Sequence, residues 1–219
     1  MIRLHHCPQT RSMRSLWLLH ELGVGFDVVT HAFDKSLRAP EYLALHPVGR
    51  VPSLEIDGET LWETGAITEI LCERFPAAGL GRAAGDPERA RWLIWVHFAE
   101  TISQHAATLT QQHVMLYEDS MRSPVVTRLE AKRLAKCYGA LEAALADGRV
   151  SLLAGGFSAA DISVGQAVYM ARHFAPIEPF AALMGWYDAI TARPAFAASL
   201  PRAGESSLYR QEFYPPLEG

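Results

Sequence analysis

Gly49-Arg50-Val51-Pro52-Ser53-Leu54-Glu55-Ile56-Asp57-Gly58-Glu59-Thr60-Leu61-Trp62-Glu63-Thr64-Gly65-Ala66-Ile67 is the stretch on which the reading of this chain turns. Residues 51–56 read as a short strand, Asp57-Gly58 as the two-residue turn of a tight hairpin, and residues 60–62 as its return. Glu63-Thr64-Gly65 breaks the pattern, and Ala66-Ile67 opens a helix. Proline cannot donate to a β ladder, so Pro52 near the start of a strand fits best as a bend, which a cis Val51–Pro52 bond would supply. Thr64 stands where a helix N-cap belongs, and the backbone N–H groups of a helix start attract an anion. Glu63 places a carboxylate beside it. One short segment thus offers a cationic hold, an anionic hold and a bent edge with free backbone groups, which suits a zwitterionic, peptide-like ligand.

Outward from this stretch, the first part of the chain alternates strand and helix. Residues 2–6 alternate as a strand, and Cys7-Pro8-Gln9-Thr10 breaks it. Leu16, Leu18, Leu19 and Leu22 stripe a helix that Gly23 ends. Residues 26–31 form a second strand, and residues 34–46, with Pro40, a loop containing a helical turn. Residues 67–75 form a helix stopped by Pro76. The order β-α-β-(α)-β-β-α, with a proline opening the third strand, resembles the thioredoxin fold. Residues 77–85, rich in Ala and Gly and without periodicity, read as a linker. The expected organisation is a thioredoxin-like α/β domain at residues 1–80 and an all-helical domain at residues 86–219.

Everything after the linker reads as helix. Asp86-Pro87 and Ser123-Pro124 are each an N-cap followed by proline at the first helical position. Leu134, Tyr138, Leu141 and Leu145 give one helix its buried face. Ser158 to Asp161 has the form of a capping box. Phe180, Leu183, Met184, Tyr187 and Ile190 stripe another helix, and Pro194 opens a short one. The tail from Tyr209 to Gly219, with Pro215-Pro216, is expected to lie draped on the surface.

Val-Pro, a hairpin, then Glu-Thr-Gly-Ala-Ile resembles the glutathione site of the glutathione S-transferase family, with Thr64 where serine is usual. The stretch His5 to Gly23 is similar to a bacterial and fungal subgroup reading His-His-x-x-x-Ser-Arg-Ser-x-Arg-x-Leu-Trp-Leu-Leu, with Thr10 replacing the first serine. Gly156-Phe157-Ser158-Ala159-Ala160-Asp161 and Ala192-Arg193-Pro194-Ala195 resemble helix-boundary signatures of the family's second half. The resemblance implies that Val51, before Pro52, pairs its backbone with the cysteinyl part of glutathione. It likewise implies that Glu63 and Thr64 hold the γ-glutamyl end; Arg50, where relatives often carry lysine, is a candidate to bind the glycyl carboxylate, the alternative being a solvated surface charge. A homodimer and a hydrophobic electrophile as second substrate are also implied, with glutathione as co-substrate.

The implied reaction adds the glutathione thiolate to an electrophile. A free thiol has a pKa of about 8.5, so a hydroxyl donor at a helix start would raise the ionised fraction. Thr10 is the first candidate for that donor, Ser12 the second, and Gln9 the third through its amide. For Thr10 the alternative is a plain helix cap. Cys7-Pro8 is similar to the start of glutaredoxin-like relatives, but Thr10 stands where their second cysteine would fall, and Cys7 reads as an inert thiol. The rival functions are a glutathione-dependent disulfide reductase or peroxidase, cycling through Cys7 or bound glutathione, and a transferase-like binding or scaffold protein without turnover.

His97, His105 and His113 recur at intervals of eight along a long helix, too far apart for convergent metal ligation, and no metal is expected. They read as a polar cleft wall, while Tyr117, His105, Tyr169 and Phe213 are candidates to line the electrophile pocket. The 219 residues carry a net charge of −4, with 49% hydrophobic and 20% charged residues. That balance excludes a nucleic-acid footprint, and no apolar run is long enough to span a bilayer. Three scattered cysteines, Cys7, Cys72 and Cys137, argue against a disulfide framework and for a reducing, cytoplasmic setting.

Overall fold

The computed structural model describes residues 1–202, 204, 205 and 208–218. Gly219, the end of the expected tail, lies outside the described residues. The chain divides into two compact units: Met1–Arg89 with Arg193–Leu208, and Ala90–Ala192 with Tyr209–Gly219.

The first unit is built on a sheet of four strands. Strand β1 (Ile2–His6) runs parallel to β2 (Asp27–Thr30) and antiparallel to β3 (Ser53–Ile56), which pairs with β4 (Glu59–Trp62), giving the order β2-β1-β3-β4. Between them come α1 (Ser12–Leu22) and the short α2 (Pro40–Leu43), and after β4 comes α3 (Thr64–Arg74). This is the thioredoxin-like arrangement expected from the sequence. Leu16, Trp17, Leu18 and Leu19 of α1 are buried, and Gly23, at φ 65°, ends the helix by donating to the His20 carbonyl. The β3–β4 turn has both central residues at positive φ, Asp57 at 51° and Gly58 at 86°, as a two-residue hairpin of this hand requires. The Arg74 guanidinium, at the end of α3, clasps that turn through Asp57 at 2.8 Å and through Glu59.

Some boundaries differ from the sequence reading. Strand β3 begins at Ser53 rather than at residue 51, because Pro52 has no N–H to give the ladder. Helix α3 begins at Thr64, three residues earlier than expected, so Thr64 is the first helical residue and Glu63 takes the cap position. The stretch 193–208 packs with the first unit rather than with the helices before it. There α8 (Pro194–Ser199) lies on α1, with the Trp17 and Phe196 rings 4.9 Å apart and Arg193 donating to both Glu21 carboxylate oxygens at 2.6 and 2.7 Å.

The second unit is helical. Its helices are α4 (Arg89–Thr110), α5 (Pro124–Ala144), α6 (Ala159–Ala171) and α7 (Ala181–Thr191), and a π-helical turn at Gln111–Met115 continues α4. Helix α4 starts past Pro87 because Asp86 is used in a turn, accepting from the Glu88 N–H at 2.7 Å. Ser123 caps α5 as expected, accepting from the Val126 N–H at 3.3 Å. The capping box at α6 is present: Ser158 accepts from the helix start while Asp161 accepts from the Ser158 N–H at 2.9 Å, a cap contributing about 1 kcal/mol. Asp161 also receives the Leu152 N–H and the Trp186 indole N–H, so it ties three segments together. The tail is not merely draped. Tyr209 and Tyr214 are buried, their rings withdrawn from water while each hydroxyl keeps a partner: Tyr209 bonds Thr110 at 2.9 Å, and Tyr214 accepts from the Arg210 N–H at 2.8 Å. Among the described residues no helix is long and apolar enough to cross a membrane.

Candidate ligand site at one end of the sheet

Three connections meet at one end of the sheet. Strand β1 leads out through Cys7 to Arg11 into α1. The antiparallel β3 enters through Arg50, Val51 and Pro52. Strand β4, antiparallel in turn to β3, leaves through Glu63 into α3. The pairing of His5 with Ser53 and of Ser53 with Trp62 places all three in one row. The topology therefore gathers Gln9, Thr10, Ser12, Arg50, Val51, Pro52, Glu63 and Thr64, which span 56 positions of sequence.

The Val51–Pro52 peptide bond is cis, as expected. Pro52 is buried, Val51 half-buried and Arg50 exposed. Two contacts fix the approach to this edge. Gly49 adopts φ 59° with its Cα so close to α2 and the turn before it that a Cβ would stand 2.5 Å from the Leu37 carbonyl oxygen. The Tyr42 hydroxyl donates to the Arg50 carbonyl at 2.7 Å. Sequence reasoning missed Tyr42. No local signal marks it, since its partner is eight residues away across a proline-bent loop.

Glu63 is exposed and holds φ 72°, ψ 117°, outside the regions an L side chain prefers. Thr64 is buried and does not cap the helix. Its Oγ1 accepts instead from Arg14 Nη1 at 2.9 Å, because a buried guanidinium is the more demanding donor. Arg14 is fully buried and is not among the candidates named from the sequence. Its position three before Trp17 and four before Leu18 places it on the apolar face of α1, which is the signal that it is buried.

At the β1–α1 turn, Gln9 is at φ 54°. Thr10 donates its hydroxyl proton to the Cys7 carbonyl at 2.8 Å and accepts from the Ser12 N–H at 3.3 Å. Ser12 Oγ lies 2.8 Å from Thr10 Oγ1, accepts from the Cys7 N–H at 3.1 Å, and lies 2.8 Å from Nδ1 of His6. Thr10 is 6% exposed and Gln9 9%, whereas Ser12 is 0% exposed, leaving no surface for a ligand atom at that hydroxyl. Cys7 is also buried, and burial pushes its thiol up to about 11, the reverse of a reactive cysteine's environment. Of the two hydroxyl residues, only Thr10 keeps any exposed surface beside the positive end of α1, and its proton reaches a ligand anion only by leaving the Cys7 carbonyl.

The helical unit's candidates do not converge among themselves. Tyr117 is exposed. His105 is engaged with Glu130 at 2.6 Å, and Tyr169 stands edge-on to His173. Phe213 lies instead in a shallow apolar groove with Phe174, Pro176 and Pro216, rimmed by Arg128 and Lys132. His113 stacks on Phe174 while His97 is exposed, so the three histidines of α4 and its extension make no common wall.

Comparison with known proteins agrees with this geometry. Residues 1–72 match the family described as "Glutathione S-transferase, N-terminal domain", and residues 123–189 match "Glutathione S-transferase, C-terminal domain". Glutathione S-transferase 1 of Saccharomyces cerevisiae is 29% identical, over 93% of this chain and 95% of its own. The solved structure of a sphingomonad glutathione S-transferase in complex with glutathione is 28% identical, covering 90% of this chain and 96% of its own, with a TM-score of 0.75. A glutathione S-transferase from Xylella fastidiosa is 25% identical, covers 91% and 97%, and superposes with a TM-score of 0.79.

Proposed function

This chain belongs to the glutathione S-transferase family, and on that premise we propose that it is a glutathione transferase, joining the glutathione thiolate to hydrophobic electrophilic small molecules in a detoxifying role. Glutathione is the co-substrate. Its cysteinyl backbone lies along the Val51–Pro52 edge, Glu63 and the start of α3 at Thr64 take the γ-glutamyl end, and Arg50 takes the glycyl carboxylate. Guanidinium suits that last task as a fork matched to a carboxylate. Thr10 turns its hydroxyl to the sulfur. Lowering a thiol pKa by one from about 8.5 needs about 1.4 kcal/mol of preference for the thiolate, within reach of one charge-assisted hydrogen bond and a helix end. The electrophile is assigned to the helical unit, and the working form to a homodimer in the cytoplasm, both on family membership.

The observation that carries this reading is the assembly of the cis Val51–Pro52 edge, the Glu63–Thr64 helix start and the Thr10 hydroxyl at one end of one sheet. A reductase cycling through Cys7 is disfavoured by the burial of that thiol. The test is calorimetric titration with glutathione, followed by turnover of a chromogenic electrophile by wild type and Thr10→Ala. Glutathione binding with turnover that falls at least about tenfold in Thr10→Ala supports the proposal, since one lost donor to a developing anion costs that much or more. Binding without any turnover in wild type would make the protein a carrier or scaffold. No binding would end the reading.

A further inference from the structure

The two hydroxyls of the β1–α1 turn have different surroundings, and a third residue stands behind them. His6, the last residue of β1, is 4% exposed, and its Nδ1 is 2.8 Å from Ser12 Oγ. Burial is the main influence on the ring and pulls its pKa down to about 4; Glu205 and a bond to the Ser12 backbone raise it, and Arg202 and His31 lower it further. The imidazole is therefore neutral at physiological pH and carries one proton, on Nδ1 or on Nε2. Which nitrogen holds it decides which way every proton in the turn points.

With the proton on Nε2, Nδ1 would accept from Ser12, and Thr10 would be drawn to donate inward. With the proton on Nδ1, the donors and acceptors close in one direction. Ser12 Oγ then accepts from His6 and from the Cys7 N–H at 3.1 Å, which fills both its lone pairs. Its own proton has two acceptors in reach, the Cys7 carbonyl at 3.2 Å and Thr10 Oγ1 at 2.8 Å, and it goes to the nearer; Thr10 Oγ1 also accepts the Ser12 N–H at 3.3 Å. Thr10, with both lone pairs filled, can only donate. The Cys7 carbonyl takes that proton at 2.8 Å, and rotation about the single Cβ–Oγ1 bond is all that is needed to offer it to a ligand acceptor instead. A chain of hydrogen bonds running one way strengthens its terminal donor.

We propose that His6 is a positioning residue for the thiol chemistry: its Nδ1–H donates to Ser12, Ser12 donates to Thr10, and the Thr10 proton is thereby aimed at the glutathione sulfur. This rests on the transferase reading above. It assigns Ser12 a place behind the donor rather than at the sulfur, and it gives work to a buried histidine that glutathione binding does not otherwise use. No proton is transferred along the chain; each hydrogen bond only fixes the orientation of the next.

The experiment compares wild type, His6→Leu, His6→Asn and Ser12→Ala. The ionised fraction of bound glutathione is read from thiolate ultraviolet absorbance, and affinity for S-methylglutathione, which has no ionisable sulfur, from calorimetry. Measured at a pH below the thiol pKa, His6→Leu and Ser12→Ala should each cut the thiolate fraction about tenfold, as a thiol pKa higher by about one requires. His6→Asn, whose amide N–H reaches about as far as Nδ1–H, should stay within about twofold of wild type. S-methylglutathione affinity should stay within about twofold in all four. Ser12→Ala changes little volume and decides the matter should His6→Leu fail to fold. An unchanged thiolate fraction in Ser12→Ala, or equal losses in His6→Leu and His6→Asn, would overturn the relay and leave His6 as packing. Failure of wild type to bind S-methylglutathione would instead overturn the transferase reading beneath it.

Discussion

Arg14 Nη1 donates to Thr64 Oγ1 at 2.9 Å, joining two residues 50 apart in sequence and tying the first turn of α1 to the first residue of α3. Both side chains are buried, Arg14 completely. The bond therefore serves the fold and the candidate site together: it holds Glu63 and Thr64, proposed to take the γ-glutamyl end, in register with the β1–α1 turn that carries Thr10. Replacing the hydroxyl by a methyl of the same shape leaves a buried guanidinium N–H without this acceptor. Thr64→Val should lower unfolding stability by roughly 1–3 kcal/mol, while Thr64→Ser should lose well under about 1 kcal/mol. Urea unfolding of the three proteins measures this, and equal midpoints for Val and Thr would show that the bond contributes nothing.

Glu63 sets stability against function. Its backbone sits at φ 72°, ψ 117°, and its exposed side chain makes no cap bond to α3. Glycine adopts that conformation without the steric cost, at the expense of a more flexible unfolded chain. Glu63→Gly should therefore be as stable as wild type or more stable by up to about 1 kcal/mol. Its glutathione affinity should fall at least about tenfold through loss of a charged hydrogen bond. Thermal melts and calorimetry on one preparation read both. A Glu63→Gly protein that melts lower and binds normally would contradict each half of the argument.

The parts of this molecule that were legible in its sequence are those whose physics is local. Asp57-Gly58 specifies a hairpin turn, Pro52 a cis bend, Ser158 and Asp161 a capping box, because each constraint acts within a few residues. What escaped is set by packing between distant segments. Thr64 looks like an N-cap until Arg14 arrives from another helix, and Ser12 looks like a possible sulfur donor until its burial beside His6 is known. Tyr42 looks like loop until its hydroxyl is found on the Arg50 carbonyl. The buried tail aromatics, Tyr209 and Tyr214, belong to the same class, since no pattern in a short irregular segment says what it covers.

Cys7 carries a prediction opposite to the one its Cys-Pro setting invites. Its thiol is 2% exposed and pushed up to about 11 by burial, with Asp34 and Glu205 adding to the effect. Thr10 and Ser12 use its backbone groups, not its sulfur. Cys7→Ala should keep conjugation turnover within about threefold of wild type, and native protein incubated with oxidised glutathione should gain no mass at this residue, since thiolate character governs exchange. Intact-protein mass spectrometry and the turnover assay check this. A mixed disulfide at Cys7 would restore the reductase reading.

Acid should loosen the fold chiefly through histidine. His6 has its pKa lowered by burial from 6.5 to about 4, and burial also lowers His20, His31, His46, His113 and His173. A lowered histidine binds fewer protons folded than unfolded, so its stabilisation is complete above pH 6.5 and drains away as pH falls toward the folded value. For His6 alone the loss reaches about 3 kcal/mol by pH 4, of which about 2 kcal/mol is gone at pH 5. Asp161 acts the other way, because burial raises its carboxyl despite the bonds it accepts, and so acidification relieves it. Comparing His6→Asn with wild type cancels that contribution. The variant should lose less stability than wild type between pH 7 and pH 5 in urea titrations, by about those 2 kcal/mol. Parallel losses in the two proteins would mean that His6 takes up its proton in the fold at the same pH as in the unfolded chain, so that its burial costs it nothing in charge.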